Sequence, residues 1–541
     1  MRGLRAPGWL LLALPLAFMG LLLVAPVLRL LAQGLGTADL SLIGVWSDGH
    51  LRWRLAWSVL QAAITCLLAL VLGLPLAWLL ARLSFPGRWL VLRLLMLPFV
   101  VPTLVAALGV LALWGPRGII GQPLAGWGID LTETPWLLLY GNLFFNLCLV
   151  VRAGVDALEQ VNAQQLAAAR TLGATAWRAF WRIEWPSIRP WMLSALSLVF
   201  LYCFAGFGLA LVLGGHRYAT VEVEIYSLVA HELALAEASV LAIWMLGLTG
   251  LVALVYAWIE RRLAAPVRTS PLPRRRPDTV GAWLALAGGL LVLFLLCAAP
   301  LLAIVWRALR ALSDTGAALL AEPDTWQAVG NTLRFSLMAL VLATVLGLAH
   351  ALGVHALDQW RTRRGEAAAA GWALGWRALE YLPFVVSAVT VSFGLLLLYP
   401  DWTASLALLV GAYALLAYPF VARSVTAGLD AMPPSLGHAA ATLGASPWRV
   451  TRRVVLPLVA PALRRGMAFA AATALGEFAV SLFLSRPEWT TLTTLIYQRL
   501  GRPGESNLDA AMLLACLLMA LALLAFVLIE GRPRRTPTHH A

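Results

Sequence analysis

Long apolar runs alternate with short polar segments along the whole of this 541-residue chain. A helix needs about 20 consecutive apolar residues to cross a bilayer. By that criterion each half of the chain holds about six spans, and we predict an all-α polytopic membrane protein with about twelve transmembrane helices. The predicted spans are Gly8–Val27, Trp53–Ala81, a third ending at Trp114, a fourth ending near Val151, Pro190–Leu213, a sixth ending at Ile259, Ala282–Val305, Trp326–Leu352, Leu379–Tyr399, Leu406–Val421, Gly466–Leu484 and Leu508–Ile529.

Two of the polar segments repeat one another without a gap. Residues 167–186 read AAARTLGATAWRAFWRIEWP, and residues 438–457 read HAAATLGASPWRVTRRVVLP. Gly173 pairs with Gly444, so the offset between the copies is 444 − 173 = 271 residues. A repeat of this length indicates a duplicated structural unit.

The similarity between the halves continues outside these segments. VLGL at 71–74 recurs at 345–348, and LPFVV at 97–101 recurs at 382–386. An even number of spans in each half gives the two repeats the same orientation, which predicts a two-fold axis along the membrane normal and a path between the halves. Pro98 and Pro383 are expected to kink or interrupt their helices, as proline does in cavity-lining helices.

Each repeated segment predicts a bent helical hairpin. The alanines before Gly173 favour a short helix, and glycine can adopt the left-handed conformation that ends it. A second short helix is expected from Ala174 to Pro186, where the missing N–H ends it. Both copies place a leucine, a tryptophan and several arginines on this hairpin.

Leucine and tryptophan on a polar loop indicate that a partner covers them. Two amphipathic helices lying on the membrane surface would fit a single copy equally well. Because the feature is duplicated, we interpret it as a docking element. The candidate docking residues are Ala168, Ala169, Leu172, Gly173, Trp177, Arg178 and Pro186 in the first copy, and Ala439, Ala440, Leu443, Gly444, Trp448, Arg449 and Pro457 in the second.

Composition and charge fit this picture. The chain is 61% hydrophobic and 12% charged, and its mean hydropathy is +0.83. Its net charge is +14, and every basic side chain other than histidine is arginine, because the sequence contains no lysine. The arginine clusters fall at both termini, in the linker 260–278 and in a loop at 361–377. These positions alternate between spans, so the positive-inside rule places both termini in the cytoplasm.

The repeated segments resemble a loop shared by the permease subunits of binding-protein-dependent, ATP-driven importers (ABC transporters). That loop reads E-A-A, three residues, G, nine residues, I-x-L-P. The matching positions are Ala168, Ala169, Gly173, Ile183 and Pro186 in the first copy, and Ala439, Ala440, Gly444, Leu456 and Pro457 in the second. Ala167 and His438 stand where the family has glutamate, so a salt bridge made by that glutamate is not expected here.

The resemblance implies a type I ABC importer permease fold in a bacterial inner membrane. It also implies two copies of a partner ATPase, one per hairpin, and a periplasmic substrate-binding protein, with no nucleic-acid partner. The phosphate-binding motif G-x-x-x-x-G-K-S/T needs a lysine, so we expect ATP hydrolysis on the partners, and neither catalysis nor a cofactor or metal on this chain. The implied divisions are a first helix and loop (1–52), a first permease domain (53–262), a charged and poorly structured linker (263–280), a seventh helix and loop (281–326), a second permease domain (327–530) and a tail (531–541).

One acidic residue, Glu477, lies within an apolar run, and its counterpart in the first half is Gly206. Intramembrane carboxylates are costly and tend to face a cavity or a partner, so a cationic substrate would suit Glu477. A helix-end acid that meets water or Arg486 is the alternative. Phe207 and Phe478 are further candidates for the substrate path, since aromatic rings attract cations.

Three further stretches, at 140–151, 213–226 and 490–501, resemble the thiamine permeases of this superfamily. The resemblance implies uptake of thiamine and its phosphorylated forms. Ferric-iron importers also have fused halves of this length, and a carboxylate such as Glu477 would suit either cation. A secondary transporter is a further alternative, although it would not need a duplicated hairpin.

Overall fold

The computed structural model describes residues 7–36, 42–263, 272–362, 375–376, 379–403, 405–484 and 486–531. Within these ranges the chain is helical, apart from turns and one isolated parallel bridge between Leu83 and Arg275. The all-α fold class is therefore confirmed. Several arginines that carry the prediction of sidedness lie outside the described residues: Arg2, Arg5, Arg268, Arg363, Arg364, Arg377, Arg532, Arg534 and Arg535.

Ten helices in these ranges are long and apolar enough to cross a membrane, and the number rises to twelve if each of two bent helix pairs is one span. In chain order the helices are α1 (Gly8–Leu35), α2 (Gly49–Arg82), α3 (Arg88–Val100), α4 (Thr103–Trp114), α5 (Trp136–Glu159), α6 (Ala163–Thr171), α7 (Ala176–Phe204), α8 (Gly208–Leu213), α9 (Val221–Ser227), α10 (Leu235–Leu263), α11 (Val280–Ala311), α12 (Pro323–Thr362), α13 (Leu379–Val385), α14 (Ala388–Leu398), α15 (Leu406–Asp430), α16 (Pro434–Thr442), α17 (Trp448–Leu475), α18 (Ala479–Leu484), α19 (Leu492–Leu500) and α20 (Glu505–Glu530). Shorter helical turns lie at Gly44–Trp46, Gly121–Gly126, Leu131–Glu133, Leu228–Glu232, Leu312–Gly316, Ala317–Ala321, Pro400–Trp402 and Pro487–Trp489.

The bent pairs are α3 with α4, at 108°, and α13 with α14, at 92°. Both spans are interrupted, as the prolines predict: a new short helix begins one residue before each proline, and the largest bend follows at the end of that helix. Pro98 and Pro383 lie in the first turn of the short helices Leu97–Val100 and Leu382–Val385, which form the ends of α3 and α13, so the missing N–H has no intrahelical partner to lose. The chain bends after Val100 and Val385, where these short helices end.

The prediction that a short helix ends at Pro186 is wrong. α7 runs unbroken through this proline, and α17 runs in the same way through Pro457. Each helix contains a five-residue π-turn just before its proline, at Phe180–Glu184 and Thr451–Val455. A π-turn already interrupts the α-helical hydrogen-bond ladder, so the missing N–H falls where the ladder changes register. Each hairpin is therefore continuous with a membrane span.

The fifth and eleventh predicted spans are each two helices rather than one. α7 ends at Phe204 before α8 begins, and α17 ends at Leu475 before α18 begins. The predicted N-terminal bounds, Pro190 and Gly466, are therefore wrong, because the helices start within the hairpins. The two breaks fall at equivalent positions of the repeat. Other helices are longer than the predicted spans: α5 continues to Glu159, α11 to Ala311, α12 to Thr362 and α15 to Asp430.

In its described part, 272–279, the linker has no regular secondary structure apart from the bridge at Arg275, and hydrogen bonds attach it there to the first half. Arg275 exchanges two backbone hydrogen bonds, of 2.8 and 2.9 Å, with the chain at the C-terminal end of α2. Arg274 donates to Glu159 Oε1 at 2.9 Å. Arg274 and Arg275 thus attach the linker to the first half, whereas 264–271 lie outside the described residues.

Two compact units make up the chain, and each draws on both halves of the sequence. One comprises Met1–Arg29, Leu319–Gln498 and Leu517–Ala541, and the other comprises Leu30–Ala318 and Arg499–Cys516. In the former, α1 packs on α12, and a Cβ on Gly353 would lie 3.1 Å from the Gly8 carbonyl oxygen. In the latter, α11 packs on α4, and a Cβ on Gly109 would lie 2.9 Å from the Pro300 carbonyl oxygen. Glycine at these contacts lets the helix backbones approach closely.

The repeat predicted from the sequence is also present in the internal contacts. In the first half, Val221 N donates to Ser58 Oγ at 2.8 Å. In the second half, Leu492 N donates to Thr332 Oγ1, also at 2.8 Å. A hydroxyl group at an equivalent position therefore accepts from an equivalent backbone amide in each half. This match aligns α2 with α12.

Candidate functional site: two hairpins and two broken spans

The bend of each hairpin depends on one glycine in the left-handed region. Gly173 has φ +79° and Gly444 has φ +78°, a conformation that glycine adopts without a Cβ penalty. Gly173 N donates to Arg170 O and Ala174 N donates to Ala169 O, both at 3.0 Å. This pair of bonds is the Schellman motif that ends a helix. The equivalent bonds in the second copy are 3.0 and 3.1 Å long.

A hydroxyl residue then starts the next helix in both hairpins. Thr175 Oγ1 accepts from Arg178 N at 3.3 Å, and Ser446 Oγ accepts from Arg449 N at 3.4 Å. These are N-cap bonds, which satisfy an amide that the first helical turn would otherwise leave unpaired. The sequence change from threonine to serine preserves the cap, so both copies build the same turn.

Large apolar side chains occupy the tips of the hairpins. Leu172 and Leu443 are 87% and 89% exposed, and Trp177 and Trp448 are both 70% exposed. Such exposure is unusual for these residue types unless a partner covers them. Two hairpins with matched exposed residues therefore present the same apolar surface twice.

A groove of about 570 Å³ runs between α6 and the start of α7. The small side chains of the alanine motif leave this space open, and one arginine lies at its wall. The lining residues are Gln165, Ala168, Ala169, Leu172, Arg182, Ile183, Pro186 and Ser187.

The remaining candidate docking residues lie on the same surfaces in both copies. Arg178 and Arg449 are exposed on the first turn after the bend. Pro186 and Pro457 are exposed where each hairpin joins its membrane span. Ala439 and Ala440 repeat the positions of the groove-lining alanines. The structure thus brings all fourteen residues into two equivalent surfaces, and their docking role stays a prediction.

Glu477 lies at the break between α17 and α18 rather than inside a helix. Its Oε1 accepts from Val480 N at 3.1 Å, so the carboxylate caps the first turn of α18. The side chain is half-buried. This is the helix-end position that the alternative reading of the sequence describes, and the cap holds the carboxylate in one orientation. The break in the first half has Gly206 there instead and supplies no carboxylate.

A cluster of buried hydroxyl groups surrounds the backbone of Glu477. Three of them donate to its carbonyl oxygen, at 3.1, 3.3 and 3.4 Å: those of Thr493, Ser481 and Tyr413. Thr491 Oγ1 joins the cluster 3.4 Å from Ser481 Oγ. Sequence reasoning missed this cluster. The threonine-rich run that contains Thr491 was the signal that could have revealed it.

The phenylalanines and prolines proposed for the path are all buried. Phe207 is 6% exposed and packs against Tyr226, with ring centroids 5.6 Å apart. Phe478 is 2% exposed and packs against Tyr497 at 5.4 Å. An equivalent aromatic pair therefore recurs in each half, beside the break between α7 and α8 in the first half and beside the break between α17 and α18 in the second. Pro98 and Pro383, also buried, lie one turn before the bends. The place of these residues in a substrate path stays a prediction.

These features define a class of protein: a polytopic membrane protein of two repeated halves, each with an exposed hairpin that continues into a broken span. The family model described as binding-protein-dependent transport system inner membrane component matches residues 69–265 and 375–531. The chain belongs to this family. It is therefore a permease subunit of the ABC importer class.

Named relatives cover almost the whole chain. The chain is 30% identical to the thiamine transport system permease protein of Escherichia coli strain K12, over 98% of this chain and 97% of that one. It is 29% identical to the protein of the same name from Brucella abortus strain 2308, over 89% and 87% of the two chains. It is also 34% identical to a sulfate transport system permease protein of Synechocystis, but over only 38% of this chain and 75% of that one.

Proposed function

We propose that this chain forms the transmembrane path of an ATP-driven importer that takes up thiamine and its phosphorylated forms. A periplasmic binding protein delivers the substrate, and two copies of an ABC ATPase subunit bind the two hairpins and hydrolyse ATP. The protein lies in the bacterial inner membrane with both termini in the cytoplasm. It acts as the translocation subunit and binds no cofactor itself.

The observation that carries the docking role is the matched exposure of Leu172 with Leu443 and of Trp177 with Trp448. Burying an exposed leucine or tryptophan against a partner contributes roughly 1.5–3 kcal/mol per side chain. Two equal surfaces suit two copies of one partner. The groove beside Arg182 would receive an apolar side chain with an acidic neighbour.

Continuity between the hairpins and the membrane spans supports a mechanism in which ATP hydrolysis on the partners moves the path. α7 and α17 contain the second arm of each hairpin and most of a span in one unbroken helix. When the ATPase dimer closes, each hairpin moves with its ATPase subunit. A continuous helix transmits that displacement to the break that follows Phe204 or Leu475, and the path opens to the other face.

The carboxyl group of Glu477 and the names of the relatives support thiamine as the substrate. The thiazolium ring of thiamine carries a positive charge, and Glu477 is a half-buried carboxylate beside a broken span. Relatives that match nearly the full length are named thiamine permeases.

The test is uptake of labelled thiamine into vesicles that contain this chain, its ATPase and its binding protein, with labelled ferric iron measured in parallel. We expect ATP-dependent thiamine uptake. In the variant Leu172→Asp with Leu443→Asp, the ATPase should no longer co-purify and uptake should stop. Because both leucines are exposed, this variant should fold normally.

The matched control is Trp127→Asp with Trp402→Asp, which changes two exposed apolar residues, 79% and 63% exposed, on loops of the opposite predicted face. This control should retain the ATPase. Iron uptake without thiamine uptake would refute the proposal that thiamine is the substrate. Uptake without ATP would overturn the mechanism, and retention of the ATPase by the leucine variant would overturn the docking surface.

A further inference from the structure

Helix α2 carries a buried arginine–glutamate pair at each of its ends. Near its N-terminus, Arg54 Nε donates to Glu224 Oε2 at 2.9 Å, and each side chain is 9% exposed. At its C-terminus, Arg82 Nη2 donates to Glu184 Oε1 at 2.7 Å, with the side chains 13% and 7% exposed. Sequence reasoning singled out neither pair. We call the first the distal pair and the second the hairpin pair, because Glu184 lies in the π-turn of the first hairpin.

The two pairs are far apart but share one rigid element. Arg54 and Arg82 are 82 − 54 = 28 residues apart in an unbroken helix. At 1.5 Å per residue they are separated by about 42 Å. A bilayer with its headgroups is about 40–45 Å thick. α2 therefore connects the hairpin face of the membrane to the opposite face, with a charged contact at each end.

The distal pair also fixes the loop that precedes α9. Arg54 Nη1 donates to His216 O at 2.8 Å, in addition to its bond with Glu224. Trp53 Nε1 donates to Arg217 O at 3.1 Å. The segment 214–224 is thus held to the end of α2 by charged and neutral bonds together.

The second half has neither ion pair at the aligned positions. α2 and α12 align with an offset of 274, as Ser58 and Thr332 show, and their partners align with an offset of 271. The close contact of Gly73 with Val150 recurs as Gly347 with Val421 in the same register. By these offsets the hairpin pair corresponds to Ala356 and Val455, and the distal pair to Ala328 and Leu495. Both charged partners of both pairs are replaced by apolar residues.

An uncharged hydrogen bond from a side chain to the backbone, in contrast, is present in both halves. Gln327, which aligns with Trp53, donates through Nε2 to Glu488 O at 3.0 Å. Glu488 aligns with Arg217, the acceptor in the first half. The chain therefore keeps the side chain-to-backbone bond in both halves and adds the ion pairs only in the first.

We propose that α2 is a doubly clamped helix that transmits movement of the first hairpin to segment 214–224 on the opposite face, and that the second half lacks this linkage. The proposal rests on the proposed function in assigning the movement to an ATPase partner. The two hairpins present equivalent surfaces to a partner, but only the movement of the first hairpin is transmitted through a clamped helix to the opposite face of the membrane. A buried ion pair with both partners present is directional and is costly to break one partner at a time, so each clamp behaves as a fixed joint.

The first test needs no partner protein. Spin-labelled amino acids, introduced by codon suppression at exposed Thr171 and Arg217, report the distance between the first hairpin and segment 214–224 by pulsed electron resonance. Labels at the aligned residues Thr442 and Glu488 report the same distance in the second half. We expect a narrower distance distribution in the first half than in the second.

The decisive variant is Arg82→Ala with Glu184→Val, which installs the residues that the second half has. It removes both charges together, so that no lone buried charge remains and the fold is kept. The first-half distribution should broaden to the width of the second. Arg54→Ala with Glu224→Leu is the independent variant at the distal pair; it installs the aligned residues of the second half, leaves no lone arginine or glutamate of that pair buried, and should broaden the distribution as well. Unchanged widths in both variants would overturn the proposal, whether or not the protein imports anything.

The second test measures substrate imported per ATP hydrolysed in vesicles with labelled thiamine. The Arg82→Ala, Glu184→Val variant should retain the ATPase and its hydrolysis but import at least about fivefold less per ATP, the lower range of measured couplings between sites. Adding Arg54→Ala with Glu224→Leu should reduce the ratio little further, because loss of either pair already interrupts a linkage that needs both. Additive losses would mean that the pairs only stabilise the fold.

The control is the exposed pair Arg152 and Asp156, whose side chains are 45% and 42% exposed and 3.0 Å apart on the same face. Arg152→Ala with Asp156→Asn should change neither the ratio nor the widths, because exposed pairs contribute little. A wild-type protein that imports nothing with ATP would refute the proposed function. The spin-label distances would then decide by themselves whether α2 is clamped at both ends.

Discussion

Adding one methyl group at Gly444 tests the geometry of the second hairpin. A Cβ built there would meet nothing within 4 Å, so packing does not oppose alanine. The cost comes from the backbone, since φ is +78° and an L-residue in this region costs roughly 1–2 kcal/mol. A change of that size raises the population of open hairpin about 5- to 30-fold.

Gly437 supplies a matched control in the same hairpin. It also has open space around its Cβ position, but it lies inside α16 with ordinary helical geometry. Glycine within a helix is destabilising by roughly 0.5–1 kcal/mol relative to alanine. Gly437→Ala should therefore protect the hairpin roughly two- to fivefold, whereas Gly444→Ala should expose it. The same added methyl group is therefore expected to have opposite effects at two positions that are 444 − 437 = 7 residues apart.

The assay is amide hydrogen exchange of the full chain in detergent, corrected for the intrinsic exchange rate of each residue type. The informative amides are those of residues 444 and 445, which donate to Ala441 O and Ala440 O at 3.0 and 3.1 Å. Faster exchange in Gly444→Ala and slower exchange in Gly437→Ala are expected. If the two variants changed exchange in the same direction, the left-handed conformation would not be what holds the bend.

Two further outcomes follow from the exposed and half-buried residues. Leu443→Ala should leave the thermal midpoint unchanged, because the side chain is 89% exposed, and should weaken ATPase binding about tenfold, measured by titration in detergent; unchanged affinity would contradict the docking surface. Glu477→Gln keeps an oxygen to cap Val480 N but removes the charge, so thiamine uptake should fall more than about tenfold in kcat/KM. Glu488→Gln, an exposed carboxylate, is its control and should have no such effect, and equal losses in both would exclude a specific role for Glu477.

Features that depend on local chemistry could be predicted from the sequence. The left-handed glycines end their helices as the alanine–glycine pattern predicts, because only neighbouring residues take part in that turn. The rule that proline ends a helix failed at Pro186, since a π-turn before the proline changes the hydrogen-bond register. The break at Glu477 was missed for a related reason: a continuous apolar run gives no sign of where a helix is interrupted inside the membrane.

Pairings between distant residues could not be predicted. The chain has 40 basic and 26 acidic side chains, so the sequence offers no way to choose Glu184 as the partner of Arg82. The two residues are 102 positions apart and meet only because α7 packs on α2. The hydroxyls around Glu477 present the same difficulty, as Tyr413 and Thr493 come from separate helices.

By itself, then, the sequence determined which segments are apolar enough to span a membrane, the duplication and the bend of each hairpin, but not where each helix begins, ends or is interrupted. Hydrophobicity fixes which segments leave water, and internal similarity fixes which segments share a structure. Tertiary structure alone decided that α1 packs on α12 and α11 on α4, and that an arginine–glutamate pair lies at each end of α2. The physical reason is that lipid tails are as apolar as leucine, so an apolar helix surface does not specify its neighbour. Close contacts such as those at Gly8 and Gly109, and buried charges that need one particular partner, make that choice.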